Sequence, residues 1–306
     1  MIGVLDVRAA GRRIAGRIRR TPVVRADGPA WFKLEFLQHA GSFKTRGMLN
    51  QILAGAERGA VPAAGIVAAS GGNAGLAAAY AARELGVPAE VFVPVTAPPV
   101  KVAKLAKLGA RVVQAGTEYA EAYAAAVLAA DGSGALFCHA YDNPDMVAGN
   151  GTAGLELLDQ MPDGFDTALV AVGGGGLIAG VAAALRDRAG IVAVEPFSCA
   201  ALHDALAAGG PVDVPVSGVA ADSLGARRAG DIAYEVTSAA GVTSVLVDDQ
   251  AIVDARRRLW DDYRIAVEHG SAAAYAALTA GAYRPAEGER VVVLLCGANT
   301  NPADLA

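Results

Sequence analysis

Cysteine is scarce: Cys138, Cys199 and Cys296 are too few and too scattered in 306 residues for a disulfide framework or a cysteine-built zinc site. A reducing cytoplasm fits such a chain. No run of five like charges occurs, and the net charge of -5 provides no field to attract nucleic acid or an anionic membrane surface. The longest uncharged stretch, 60–82, exceeds a bilayer-spanning length, but Pro62, Ser70, Asn73 and four glycines would break a lipid-exposed helix, so no membrane span is expected. Lysine is rarer than arginine: Lys33, Lys44, Lys101, Lys104 and Lys107 are all there are. What the chain does have is 54% hydrophobic and 19% charged residues, which excludes disorder and leaves a small molecule as the default partner. Its 37 glycines follow no fixed period, so they read as tight turns and close packing.

Six arginines and one acid in residues 1–20 match the charge of a transit peptide. The serines of such a peptide are missing, and Val4, Leu5, Ile14 and Ile18 suit an amphipathic first helix stopped by Thr21 and Pro22. Beyond it, short apolar runs alternate with helical stretches, the pattern of βαβ units and a mainly parallel sheet covered on both faces. Strands are expected over 65–69, 90–94, 111–114, 135–139, 168–172, 191–195, 242–247 and 290–296, and helices over 73–85, 101–108, 118–130, 177–188, 249–262 and 271–279. In the helix over 101–108, Lys101, Lys104 and Lys107 interleave with apolar residues and read as a solvated basic edge. No repeat and no linker divides the chain, so any second domain must be inserted within the first: 65–139 as a small domain, 1–64 with 140–306 as a large one.

In open parallel sheets ligands bind beyond the carboxyl ends of strands. There, Gly173, Gly174, Gly175 and Gly176 precede an apolar helix, which is either a phosphate site built from backbone N–H groups and a helix dipole, or a tight packing turn. Ser70, Gly71, Gly72 and Asn73 follow another strand, and form either a nest for a carboxylate or an ordinary helix cap. Lys44, after Phe43 and among glycines, is either a surface lysine or a desolvated amine able to act as nucleophile or base.

Thr21-Pro22, Lys33-Leu34-Glu35 with Gln38, Gly41-Ser42-Phe43-Lys44-Thr45-Arg46-Gly47, Ser70-Gly71-Gly72-Asn73, Ala148-Gly149-Asn150-Gly151-Thr152, the four glycines, Glu195-Pro196 and Cys296-Gly297-Ala298-Asn299 run nearly end to end. In that order they resemble the fold-type II pyridoxal-phosphate enzymes, in the serine/threonine dehydratase and serine racemase branch. The resemblance implies an α/β, tryptophan synthase β-like fold: two open, twisted, mainly parallel sheets flanked by helices, with the active site between a large and an inserted small domain. It implies pyridoxal 5'-phosphate as cofactor, joined to Lys44, which also moves the Cα proton, with Phe43 packed against the ring and Gly173 to Gly176 on the phosphate. By the same resemblance Asn73 meets the 3-hydroxyl, Glu268 lies near the ring, Cys296 faces the pyridine nitrogen, and Ser70, Gly71, Gly72 and Asn73 take the substrate carboxylate. The implied reaction removes the β-hydroxyl of a 3-hydroxyamino acid (threonine, serine or a bulkier analogue), giving a 2-oxo acid and ammonia. The alternatives are a β-replacement synthase of the same fold and a catalytically silent binding protein. A homodimer is implied as well.

The departures narrow this. Gly71 stands where racemases carry a serine as the opposite-face acid/base, which argues against racemisation. Ala201 stands where metal-binding members have a carboxylate following Glu195, so no metal is expected. Gly71, Ala74 and Ala298 suggest room for a substrate bulkier than serine.

Overall fold

Segments made almost wholly of valine, alanine, leucine and isoleucine can be buried on both faces, and these become the inner strands of two sheets in the computed structural model, which describes residues 1–59 and 63–305. The start of the uncharged stretch over 60–82 therefore lies outside the described residues. The larger sheet contains β1 (Val23–Arg25), β2 (Ala30–Lys33), β7 (Thr167–Ala171), β8 (Gly190–Pro196), β9 (Thr243–Val247) and β10 (Val291–Leu294), in the order β1-β2-β10-β7-β8-β9. Only β1 and β2 pair antiparallel; every other pair is parallel. The smaller sheet contains β3 (Ile66–Ala69), β4 (Ala89–Val93), β5 (Arg111–Gln114) and β6 (Leu136–Phe137), all parallel in the order β5-β4-β3-β6.

The helices are α1 (Val4–Ile14), α2 (Lys44–Glu57), α3 (Asn73–Leu85), α4 (Pro99–Lys107), α5 (Tyr119–Ser133), α6 (Pro144–Gln160), α7 (Gly176–Leu185), α8 (Ala201–Ala208), α9 (Ala221–Leu224), α10 (Asp231–Ala239), α11 (Asp249–Tyr263) and α12 (His269–Thr279). The first helix ends well before Thr21: Ala15 leaves helical geometry and Gly16 turns left-handed at φ +75°, so the stop is local and not the proline. The strands expected over 135–139 and 290–296 shorten to β6 and β10.

The sequence reading missed α6 as a helix, because its three interior glycines at 149, 151 and 154 argue against one. They are there for contact. A Cβ on Gly149 would lie 2.7 Å from the Arg46 carbonyl, and one on Gly151 would lie 2.5 Å from the Gly180 carbonyl. Thus α6 presses its backbone against α2 on one side and α7 on the other, and tertiary packing overrides intrinsic propensity.

Where α2 crosses α6 near the end of β2, an ionic cluster is enclosed. The Arg46 guanidinium donates to both Glu35 oxygens (2.7 and 2.8 Å) and to both oxygens of Glu156 (2.8 and 2.9 Å). Lys33 Nζ donates to Glu156 (2.7 Å), Gln160 (2.9 Å) and the Thr21 carbonyl (2.8 Å). Lys33, Glu35 and Arg46 are fully buried, so each charge is both paired and hydrogen-bonded, as burial demands. This cluster fixes α2, and hence its first residue, Lys44, against β2 and α6.

Candidate functional site

The segment leading into α2 is stitched to the chain leaving β10. Phe43 N–H donates to the Cys296 carbonyl at 3.0 Å, Ser42 and Gly297 form an antiparallel bridge, and Ala298 N–H donates to the Gly41 carbonyl at 3.0 Å. Lys44 is therefore held at the carboxyl end of the larger sheet, where the strand-end rule directs the search. Its Nζ donates to the Ala140 carbonyl at 2.6 Å and lies 5.2 Å from the centre of the Phe43 ring. Burial lowers its pKa from 10.5 to about 8, against a smaller opposing pull from Cys296 and Glu268. Lys44 is thus a desolvated amine, and the surface-lysine alternative is set aside.

Glu268 stands beside it at the N-cap position of α12, its carboxylate turned away from the helix end. Its N–H donates to the Gly297 carbonyl (3.2 Å), and its carboxylate accepts from Asn73 Nδ2 (2.6 Å). Asn73 Oδ1 in turn accepts from Asn299 Nδ2 (2.6 Å), which also donates to the Ala40 carbonyl (2.8 Å). Burial pushes Glu268 up to about 7, with the Asn73 hydrogen bond opposing and Asp222 reinforcing. Cys296 is buried and its thiol is pushed up to about 12, chiefly by burial and then by Glu268, so it remains a neutral thiol at physiological pH.

Like α2 and α12, helices α3 and α7 begin in this region without a side-chain cap. At α3 the cap position is Gly72, and the Ser70 hydroxyl accepts from Gly72 N–H (3.2 Å) without capping the helix. The helix-cap alternative for Ser70 and Asn73 therefore does not hold, and the first N–H groups of α3 have no side-chain acceptor. At α7 the cap is Gly175, left-handed at φ +86°. A Cβ on Gly174 would fall 2.4 Å from the Tyr141 ring, and one on Gly173 would fall 2.9 Å from the Leu224 backbone. This loop is a cradle that admits no side chain. An anion there would meet backbone N–H groups and the positive end of a buried helix.

Phe43, Lys44, Asn73, Glu268 and Cys296 thus converge, and the tetraglycine joins them through Tyr141, whose neighbour Ala140 accepts from Lys44. A pocket lined by Gly71, Gly72, Asn73, Lys101, Glu268 and Asn299 opens beside them. Lys104 and Lys107 are exposed, as a solvated edge requires, and Lys101 on the same edge is in addition ion-paired with Asp222 at the pocket. The sequence reading also gave no role to Asn299, Tyr141 or Asp222. Tyr141 follows β6 closely enough for the strand-end rule to have found it; Asp222 lies on a one-turn helix with no pattern to mark it. Glu195 lies elsewhere, buried at the end of β8 and accepting from Leu202 and His203 N–H at 2.8 and 2.7 Å.

The donor set fits a phosphate-bearing carbonyl cofactor: an amine neutral enough to react, a cradle shaped for an anion, and a thiol in place of a carboxylate. Comparison with known proteins agrees. The family model described as pyridoxal-phosphate dependent enzyme matches residues 14–297. The chain is 38% identical over 301 residues to an L-threonine ammonia-lyase of Geobacter sulfurreducens, covering 95% of this chain and 74% of that one. It is 37% identical over 278 residues to a phenylserine dehydratase of Ralstonia pickettii, covering 90% and 84%. Among solved structures, maize serine racemase superposes with a TM-score of 0.91 at 30% identity, covering 99% of this chain and 95% of that one.

Proposed function

Because the chain belongs to the pyridoxal-phosphate dependent enzymes, we propose that it removes the β-hydroxyl of a 3-hydroxyamino acid to give a 2-oxo acid and ammonia, with Lys44 as its catalytic residue. When bound, the cofactor supplies an electron sink for charge developing at Cα. Phe43 packs on its ring, Gly173 to Gly176 hold its phosphate, Asn73 meets its 3-hydroxyl, and Glu268 lies near its ring. Ser70, Gly71, Gly72 and Asn73 orient the substrate carboxylate with backbone N–H groups. The Lys44 amine takes the Cα proton, which its lowered pKa permits near neutral pH. Cys296 presents a neutral thiol to the ring nitrogen, where an aspartate would hold a proton, and this favours loss of the β-substituent over transamination. The hydroxyl leaves with a proton, and the released enamine hydrolyses to the 2-oxo acid and ammonia.

The observation that carries this reading is the desolvated Lys44 amine held beside two uncapped helix N-termini. The test is to record the visible cofactor band before and after L-threonine, L-serine and L-threo-3-phenylserine, with 2-oxo acid and ammonia assayed alongside and Lys44→Ala as control. A band with no ammonia from any of the three would transfer the reading to β-replacement. Absence of any band would remove the cofactor.

The domain division into 65–139 and 1–64 with 140–306 belongs to this proposal, supported by the confinement of the smaller sheet's strands to Ile66 through Phe137. So does a homodimer, which a monomeric mass by light scattering would contradict. A cytoplasmic setting is supported by three cysteines that are all free and buried.

A further inference from the structure

Lys101 and Lys104 both line the pocket beside Lys44, and the reaction as derived uses neither; among the described residues, Lys101 is the one of the two that is ion-paired. Lys101 comes from the first turn of α4, over the smaller sheet, and its ammonium is paired with Asp222 of α9, over the larger sheet. The two partners are unequally held. The Lys101 side chain is 29% exposed and that of Asp222 is 71% exposed, so the lysine stem is the better covered of the two while the pair itself meets at the exposed rim of the pocket. The Lys101 stem lies along the glycine nest: a Cβ on Gly71 would sit 3.8 Å from Lys101 Cδ. Asn73, Glu268 and Asn299 complete the wall, and Glu268 is charge-coupled to both members of the pair. A cation at the rim of a pocket lined by backbone N–H groups without a side-chain cap is a site for a carboxylate, and Asp222 presents one to it.

We propose that Lys101 binds the α-carboxylate of the substrate together with the backbone of residues 70–73, and that Asp222 is a built-in competitor which that carboxylate displaces. The proposal rests on the dehydratase reading above for the identity of the substrate as an amino acid. It explains why the pair bridges the two sheets at the mouth of the site. Exchange of Asp222 for substrate releases α9, whose next residues, Ser223 and Leu224, bear on Gly270 and on the tetraglycine at Gly173.

The experiment compares cofactor-loaded wild type, Lys101→Met, Lys101→Arg and Asp222→Asn, with the visible band as a measure of loading and kcat and KM determined for L-threonine and L-threo-3-phenylserine. Loss of a charged hydrogen-bonding partner in Lys101→Met raises KM about ten-fold or more with a much smaller change in kcat. Lys101→Arg recovers most of that affinity. Asp222→Asn lowers KM roughly two- to five-fold, the yield of removing an exposed ionic competitor. An unchanged KM in both Lys101→Met and Asp222→Asn, or a fall in kcat alone, overturns the proposal and leaves the pair as a tie between the sheets. If wild type releases no 2-oxo acid, the dehydratase reading fails separately. The shift of the band on titration with L-threonine then still decides whether Lys101 binds the carboxylate.

Discussion

Lys44 combines a lowered pKa with a position at the carboxyl end of the larger sheet, and its protonation state governs cofactor capture. A lysine whose pKa falls from 10.5 to about 8 is the neutral nucleophile above pH 8 and the inert ammonium below it. The rate of cofactor uptake by stripped protein is expected to rise from pH 6.5 to 9 with a midpoint near 8, followed by growth of the visible band. A midpoint above 10 would show a solvated lysine. The cysteines behave in the opposite sense. Burial raises Cys138 and Cys296 to about 12 and Cys199 to about 11, so the reactive thiolate is suppressed in all three. An aromatic disulfide reagent at pH 8 should titrate almost none of them in the native protein and three after denaturation; prompt reaction of one would mean that its cover opens.

At the level of elements, glycine has opposite values in two helices. In α6, Gly149→Ala would drive a methyl against the Arg46 carbonyl and the Gly47 backbone, and is expected to cost about 1–3 kcal/mol through overpacking. In α5, Gly132 faces open space, so Gly132→Ala should instead stabilise by up to about 1 kcal/mol through helix propensity. Denaturant midpoints of the two variants should therefore move apart; movement in the same direction would contradict the close crossing of α6. The tetraglycine follows the logic of α6. Gly174→Ala places a methyl in the Tyr141 ring and should lower cofactor affinity at least ten-fold in equilibrium dialysis, while the secondary structure seen by circular dichroism is retained.

On the scale of the whole molecule, the cluster of Lys33, Glu35, Arg46 and Glu156 unites β2, α2 and α6 behind the site. Burial pushes the Glu35 carboxyl up, but Arg46, followed by Lys33 and Thr21, more than offsets this and leaves it below its ordinary 4.5. A depressed carboxylate contributes stability that is present above its unfolded pKa and is lost as pH falls through the folded one. Acid unfolding of wild type should therefore steepen below pH 4.5. Glu35→Gln, by leaving Arg46 short of a buried partner, should cost roughly 3–5 kcal/mol at neutral pH and flatten that acid limb. An equally steep limb in the variant would assign acid sensitivity to other carboxylates. The packing of the smaller sheet shows how far the two layers are joined: Ile14, Met48, Leu49, Ile52 and Met146, all outside 65–139, lie in one apolar cluster with Ile66, Ala68 and Val91. The smaller sheet thus depends on α1, α2 and α6 for part of its core, and a fragment of residues 65–139 expressed alone would expose that face.

Much of this could be read from the chain itself, because it depended on local order. Short apolar runs bounded by turn residues marked β3, β4, β7, β8 and β10 though not β2, and Lys44, Ser70 to Asn73, Gly173 to Gly176 and Cys296 lie at strand or helix ends where neighbours in sequence are neighbours in space. Local order also left three alternatives open. Whether Lys44 was wet or dry and whether Ser70 capped a helix depended on more than local order: Ala140 accepts from the lysine, and α3 starts uncapped, while Tyr141 and Leu224 press on the tetraglycine loop, whose anion role belongs to the proposal. The glycine-rich α6 and the pairing of Lys101 with Asp222 follow the same rule. A helix that propensity disfavours forms because its glycines let two backbones touch, and a lysine on an edge that periodicity assigns to solvent is paired with a carboxylate 121 residues away. Composition and spacing determine which elements exist and where backbone donors gather; desolvation, close contact and long-range charge arise only when the two sheets come together.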